Sequence, residues 1–119
     1  KHRFARPRPY VVEPRLEPCI DDVADNLSYP SGHATYGYVA ALILADMVPE
    51  RRAQLLARAD SFARSRMICG VHYASDLATG RAGAGWLVRE FGKNADYLAA
   101  AAQARAVLRA ALVSPAAGR

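Results

Sequence analysis

Five of the seven prolines, Pro7, Pro9, Pro14, Pro18 and Pro30, fall within the first thirty of 119 residues. Proline fixes φ and removes a backbone donor, so this stretch is expected to be an extended, loop-like arm over residues 1–31. Beyond it the pattern is helical. Apolar residues are dense from Ala34 to Met47 and stop at Pro49, which predicts a buried helix over about 32–47. Pro49 suits the start of a second helix, over about 50–68. There Leu55, Leu56, Ala59, Phe62, Ala63 and Met67 form an apolar stripe that ends before Gly70. VHYASDLATGRAGAGWLVREFG predicts a third helix over about 73–91, stopped by Gly92. Its Gly80, Gly83 and Gly85 weaken it in isolation but allow a neighbouring helix to come close. A fourth helix is capped by Asn94 and closes near Ser114-Pro115. No run alternates with period two for long, so the class is all-α, with a helical core over 32–114.

Length and composition bound the rest. The chain suffices for one domain, 1–119, and not for two. At 52% hydrophobic and 23% charged residues it is an ordinary globular composition, unlike a disordered tail. Two cysteines exclude a disulfide-dense miniprotein. The longest uncharged apolar stretch, Ala34 to Ala45, is too short for an integral membrane segment, which needs roughly 20 residues. A net charge of +5 favours anionic partners without choosing among nucleic acid, lipid headgroups and phosphate esters. The sequence opens KHRFARPRPY, inside a basic run, with neither an initiator Met nor a signal segment. It is therefore expected to be the C-terminal part of a longer protein.

Three clusters carry chemistry. Lys1 with Arg8-Pro9 is, by itself, a basic arm of the kind that binds nucleic acid. Tyr29-Pro30-Ser31-Gly32-His33 stands where a helix begins. Unpaired N–H groups there attract phosphate, Gly32 permits close approach, Ser31 adds a hydroxyl and His33 a proton donor. The same residues also make an ordinary cap and turn. In the third cluster, Ser65-Arg66 precedes His72 and Asp76, whose spacing of four puts them on one face of a helix. A carboxylate there can fix the imidazole tautomer, and the Arg66 fork suits phosphate oxygens. Alone, such a pair is more often a surface contact.

In order along the chain these are K-x6-R-P (Lys1, Arg8, Pro9), P-S-G-H (Pro30 to His33) and S-R-x5-H-x3-D (Ser65, Arg66, His72, Asp76). Eleven specified positions all match, and the chain resembles the type 2 phosphatidic acid phosphatase superfamily. That superfamily includes bacterial acid phosphatases, lipid phosphate phosphatases and vanadium haloperoxidases. YPSGHATYGYVAALILADMVPERR and SRMICGVHYASD are most similar to the class A bacterial non-specific acid phosphatases, from Lys1 to about Ala104. The resemblance implies a helical bundle of the acid phosphatase/vanadium haloperoxidase type, lacking here the helices that precede the lysine motif. Those helices are an expected partner, and the face they leave open would favour a homo-oligomer.

The resemblance also implies roles. Lys1, Arg8 and Arg66 clamp the phosphoryl oxygens, with Ser31 and the Gly32 amide as further donors. His72 attacks phosphorus, Asp76 orients it, and His33 protonates the leaving alcohol. No metal or other cofactor is implied. Vanadate, molybdate or phosphate would occupy the site as inhibitor or product. The expected substrates are small phosphomonoesters, the expected compartment the bacterial periplasm or exterior. Cys19 and Cys69 are then expected to pair, against the alternative of two buried thiols, closing a loop of about 50 residues. The same motifs fit a vanadium-dependent haloperoxidase or a soluble lipid phosphate phosphatase. A nucleic-acid module would explain the charge but not the histidine spacings, and is not expected.

Overall fold

Ser31 opens the first long helix because its Oγ accepts from the Ala34 N–H at 3.2 Å, supplying the partner that a helix start lacks. The computed structural model describes residues 1–20 and 27–113. Within them lie five α-helices: α1 (Pro9–Val12), α2 (Gly32–Met47), α3 (Arg52–Ile68), α4 (Ala74–Phe91) and α5 (Ala95–Val113). The fold is all-α, as expected, and the four long helices stand where the sequence places them. Pro49 begins a short 3-10 turn, Pro49–Arg51, so α3 starts at Arg52. Asn94 Oδ1 accepts from the Tyr97 N–H at 2.9 Å and starts α5. The expected end near Ser114-Pro115 lies outside the described residues.

The proline-rich arm is less featureless than expected. It contains α1, with Pro9 at the first position that tolerates it. An isolated antiparallel bridge pairs Pro7 with Leu27, and Ser28 N–H donates to the Arg6 carbonyl at 2.8 Å. Ser28 is fully buried, its hydroxyl shared between the Arg6 and Pro7 carbonyls.

Helix α2 packs against both α3 and α4 through small side chains. Ala34, Tyr38, Ala41, Ala59, Ala63 and Ala84 form the core, with Leu42, Leu55, Leu56 and Leu77 around it. Alanine at the contacts lets helix axes approach closely. The tightest approach is at Gly80, where an added Cβ would lie 2.8 Å from the Ser31 carbonyl oxygen and 2.9 Å from Ala34 Cβ. Gly83 has nothing within 4 Å, and Gly85 meets only the Arg89 side chain of its own helix, so only one of the three glycines serves packing. Two expectations of burial need correction. Helix α2 is buried on one side only, with Tyr36 at 72% exposure, and Met67 of the α3 stripe is 41% exposed. An open apolar groove of about 250 Å³ runs between α2 and α3 beside Tyr36, Leu44 and Phe62.

Cys19 and Cys69 are disulfide-bonded across 50 residues of sequence, with Cα atoms 5.0 Å apart. Cys69 ends α3, and Gly70 follows at φ +73°, a left-handed conformation that glycine adopts without strain. Residues 71–73 then lead into α4. No described helix is long and apolar enough to cross a membrane.

Candidate active site

The turn after α3 sets the site. His72 is 2% exposed and Asp76 fully buried. The sequence reading put both on one helix face; in fact α4 begins at Ala74, and His72 precedes it. The pair meets because Asp76, in the first turn, folds its carboxylate back over the helix start. Oδ2 accepts from the Tyr73 N–H at 2.8 Å and faces His72 Nδ1 at 3.3 Å. An acidic residue is favoured there by the helix dipole as well.

His72 Nε2 lies 3.3 Å from Arg8 Nη1, which also donates to the Val71 carbonyl at 3.0 Å. A guanidinium has only donors and a carboxylate only acceptors. Between them the imidazole is neutral, with its proton on Nδ1 and its lone pair on Nε2. Electrostatics agree. The His72 pKa is pushed down to about 4, chiefly by burial; the Asp76 hydrogen bond opposes this, and Arg8 and Lys1 add to it.

His33, in the first turn of α2, keeps much of its surface open to solvent, its ring 6.3 Å from that of Phe62. Its pKa is also held below the ordinary histidine value, first by partial burial, then by the charges of Arg66, Arg8 and Lys1. Three cations from distant stretches of chain thus act on one imidazole. Arg66, in the last turn of α3, has its own pKa lowered by burial and by Arg8. Its Nε is buried without a hydrogen-bond partner, an uncommon condition for a charged donor. Lys1 donates to the Leu27 carbonyl at 2.9 Å.

Ser31 and Gly32 form the start of α2 beside these groups. Ser31 is fully buried and caps the helix. Its own N–H donates to the Asp76 carbonyl at 3.2 Å, which ties the two helix starts together. The bond that its Oγ accepts leaves its O–H to donate. An added Cβ at Gly32 would meet nothing within 4 Å, so the helix start is uncovered on that side.

The arrangement therefore gathers a lone-pair nitrogen, a second imidazole, three cations and a helix start. It also contains a residue that the sequence reading missed. Arg6 Nη1 donates to Asp76 Oδ1 at 2.9 Å and to Ser75 Oγ at 2.6 Å, and its guanidinium carbon lies 4.0 Å from the centre of the Tyr73 ring. A basic residue among several in KHRFARPRPY carries no signal of this role; only the fold brings it to Asp76.

Comparison with known proteins identifies the family. Residues 1–91 match the family model described as the PAP2 superfamily. The chain is similar to an acid phosphatase of Zymomonas mobilis, 39% identical over 84 residues, which are 67% of this chain and 31% of that protein. It is similar also to the non-specific acid phosphatase of Salmonella typhimurium, 40% identical over 84 residues, 68% of this chain and 34% of that protein. The non-specific acid phosphatase of Providencia stuartii is 34% identical over 100 residues, 82% of this chain and 40% of that protein. The chain spans about a third of the length of these relatives. Matched across both motif-bearing helix starts and the arm, the chain belongs to the PAP2 superfamily.

Proposed function

We propose that this chain carries the catalytic centre of a phosphomonoester hydrolase that works through a phosphohistidine on His72. The carrying observation is the His72 ring, fixed between Asp76 and Arg8 so that Nε2 keeps a lone pair amid positive charge. The similarity to acid phosphatases favours phosphate transfer over the haloperoxidase and lipid phosphatase alternatives.

Phosphoryl transfer requires neutralised equatorial oxygens, an in-line nucleophile and a protonated leaving group. Lys1, Arg8 and Arg66 take the oxygens, and the unpartnered Arg66 Nε is a donor waiting for one. Ser31 O–H and the N–H groups at Gly32 complete the cradle. His72 Nε2 forms a bond to phosphorus while the bond from phosphorus to the alcohol oxygen breaks. His33 gives that oxygen its proton. The neutral His33 then takes a proton from water as the water oxygen attacks phosphorus and the P–N bond breaks. Asp76 holds Nδ1 throughout, stabilising the positive charge that His72 acquires. The reading assigns no metal to this step, since three side-chain cations supply the charge that a metal would. The substrates proposed are small phosphomonoesters recognised by their phosphate. Vanadate and molybdate are then competing oxyanions. The disulfide fits an oxidising compartment, and a bacterial periplasmic or secreted location is proposed on that ground.

The test is phosphoenzyme trapping in the full-length protein with p-nitrophenyl phosphate. The wild type is expected to yield an acid-labile, base-stable phosphoenzyme, and His72→Ala to lose both it and turnover. Asp76→Asn is expected to cost less, because the nucleophile survives without its orienting charge. A phosphoenzyme in His72→Ala refutes the assignment. Peroxide-driven bromide oxidation with added vanadate, without phosphate release, would favour the haloperoxidase.

A further inference from the structure

We infer that Arg6 is a positioning residue for the proposed nucleophile, acting through Asp76 rather than on phosphate. Because this rests on the phosphatase reading, one arm of its test needs no turnover.

The argument begins with the Asp76 carboxylate. It is fully buried, and a buried carboxylate must have its oxygens satisfied. Oδ2 serves Tyr73 N–H and His72 Nδ1. Oδ1 is held by Arg6 Nη1 in a charge-assisted bond at 2.9 Å. A carboxylate rotates about one bond, so a donor on Oδ1 fixes the direction of Oδ2. The plane of His72, and hence the direction of the Nε2 lone pair, then depends on a side chain seventy positions away in sequence.

Arg6 is itself held from three sides. Its guanidinium lies over the Tyr73 ring, donates to Ser75 Oγ, and belongs to a segment whose carbonyl accepts from Ser28 N–H. Among the described residues, the charged and titratable groups facing Asp76 are thus Arg6 from the arm and the neutral His72 ring from the turn, with Arg8 behind the imidazole. At the start of α2 the Ser31 N–H reaches this residue at its carbonyl. Lys1, Arg8 and Arg66 weigh on His33, whereas Arg6 Nη1 donates to Asp76 and Ser75. The arm therefore delivers two arginines with separate duties, two positions apart. One faces the nucleophile and the other fixes the carboxylate behind it.

A simple anchor would serve differently: losing it would loosen the arm, displace Lys1 and Arg8, and weaken phosphate binding. The experiment compares Arg6→Met and Arg6→Lys with wild type in the full-length protein. Arg6→Met is expected to lower kcat about 10- to 100-fold, with KM and competitive inhibition by inorganic phosphate within about twofold of wild type. Arg6→Lys, which keeps a charged donor, is expected to recover at least about fivefold of that loss. Nitrogen-15 NMR of His72 is the arm independent of turnover. It is expected to show the proton on Nδ1 in wild type and Arg6→Lys, and a mixture with Nε2 in Arg6→Met. An unchanged tautomer in Arg6→Met overturns the inference. So does a rise in KM and in the phosphate inhibition constant with kcat preserved. If Arg6→Met does not fold, Arg6→Lys decides: a tautomer mixture there overturns the inference, and a retained Nδ1 proton with kcat within about tenfold of wild type supports it. A wild type that shows the Nδ1 proton but no phosphatase activity refutes the reaction while leaving the positioning geometry standing.

Discussion

His72 and His33 are both drawn below the ordinary histidine pKa, and the proposed reaction needs them in opposite states. Burial and cations keep His72 neutral down to about pH 4, so the proposed nucleophile is lost only as pH falls through that value. In the proposed reaction His33 has to carry a proton to release the alcohol. Its lowered pKa places the alkaline limb below the usual 6.5 in the empty enzyme. A profile of kcat/KM, which reports the free enzyme, is expected to be a bell with its optimum between these limits. The alkaline limb of kcat is expected at higher pH, because a bound phosphoryl group offsets the three cations that depress His33. Steady-state rates from pH 3 to 10 check both, and a rate still climbing above pH 9 contradicts the roles given to the histidines. At this scale the sequence was informative where residue type and spacing go together, as at Pro30 to His33. It was silent on Arg6 and Ser28, because their importance lies in what they touch, and no spacing rule links residue 6 to residue 76.

Helix α4 reaches the start of α2 through one glycine. Gly80 lies one turn after Asp76, whose carbonyl takes the Ser31 N–H, so the α2 and α4 starts are fixed against each other at that point. In Gly80→Ala the new methyl would sit 2.8 Å from a backbone oxygen and 3.1 Å from the Thr35 nitrogen, neither of which can swing aside. The variant is expected to lose about 1–3 kcal/mol in urea unfolding and roughly tenfold or more in kcat/KM, as the cap bearing His33 moves from the turn bearing His72. Gly83→Ala is the control. With open space at that position it is expected to gain up to about 1 kcal/mol from helix propensity and to leave activity unchanged. Helix ends were legible because Pro49, Gly70 and Asn94 are punctuation with local causes. The depth of each face was not. Apolar density in α2 reads as burial all round, yet only the partners that the fold supplies decide which side is covered. The same limit explains the His72–Asp76 pair, where the spacing of four was right and the assumed shared helix was wrong.

The described chain has a radius of gyration of 17.4 Å and extents of 51 × 40 × 23 Å. A compact chain of this length would have about 13–14 Å. Helix α5 lies at the periphery. It has no buried residue, and is held to the end of α2 and the following turn by Arg105 on the Asp46 carbonyl and by Arg109 on Glu50. The arm is tied to the rest by Arg6 and Arg8 and by the bridge between Cys19 and Cys69, which joins it to the turn between Arg66 and His72. Serine at both positions, or added reductant, is expected to lower the unfolding free energy by roughly 4 kcal/mol, read as a shift of the urea midpoint. Coincident midpoints with and without reductant would count against a stabilising bridge. The buried, unmatched Arg66 Nε has a consequence for the whole catalytic cycle under the proposed assignment. An empty pocket confines mutually repelling charges, and any tetrahedral dianion relaxes them. Departing product must therefore leave a place that holds it as firmly as incoming ester, and where inorganic phosphate accumulates its slow exit throttles throughput.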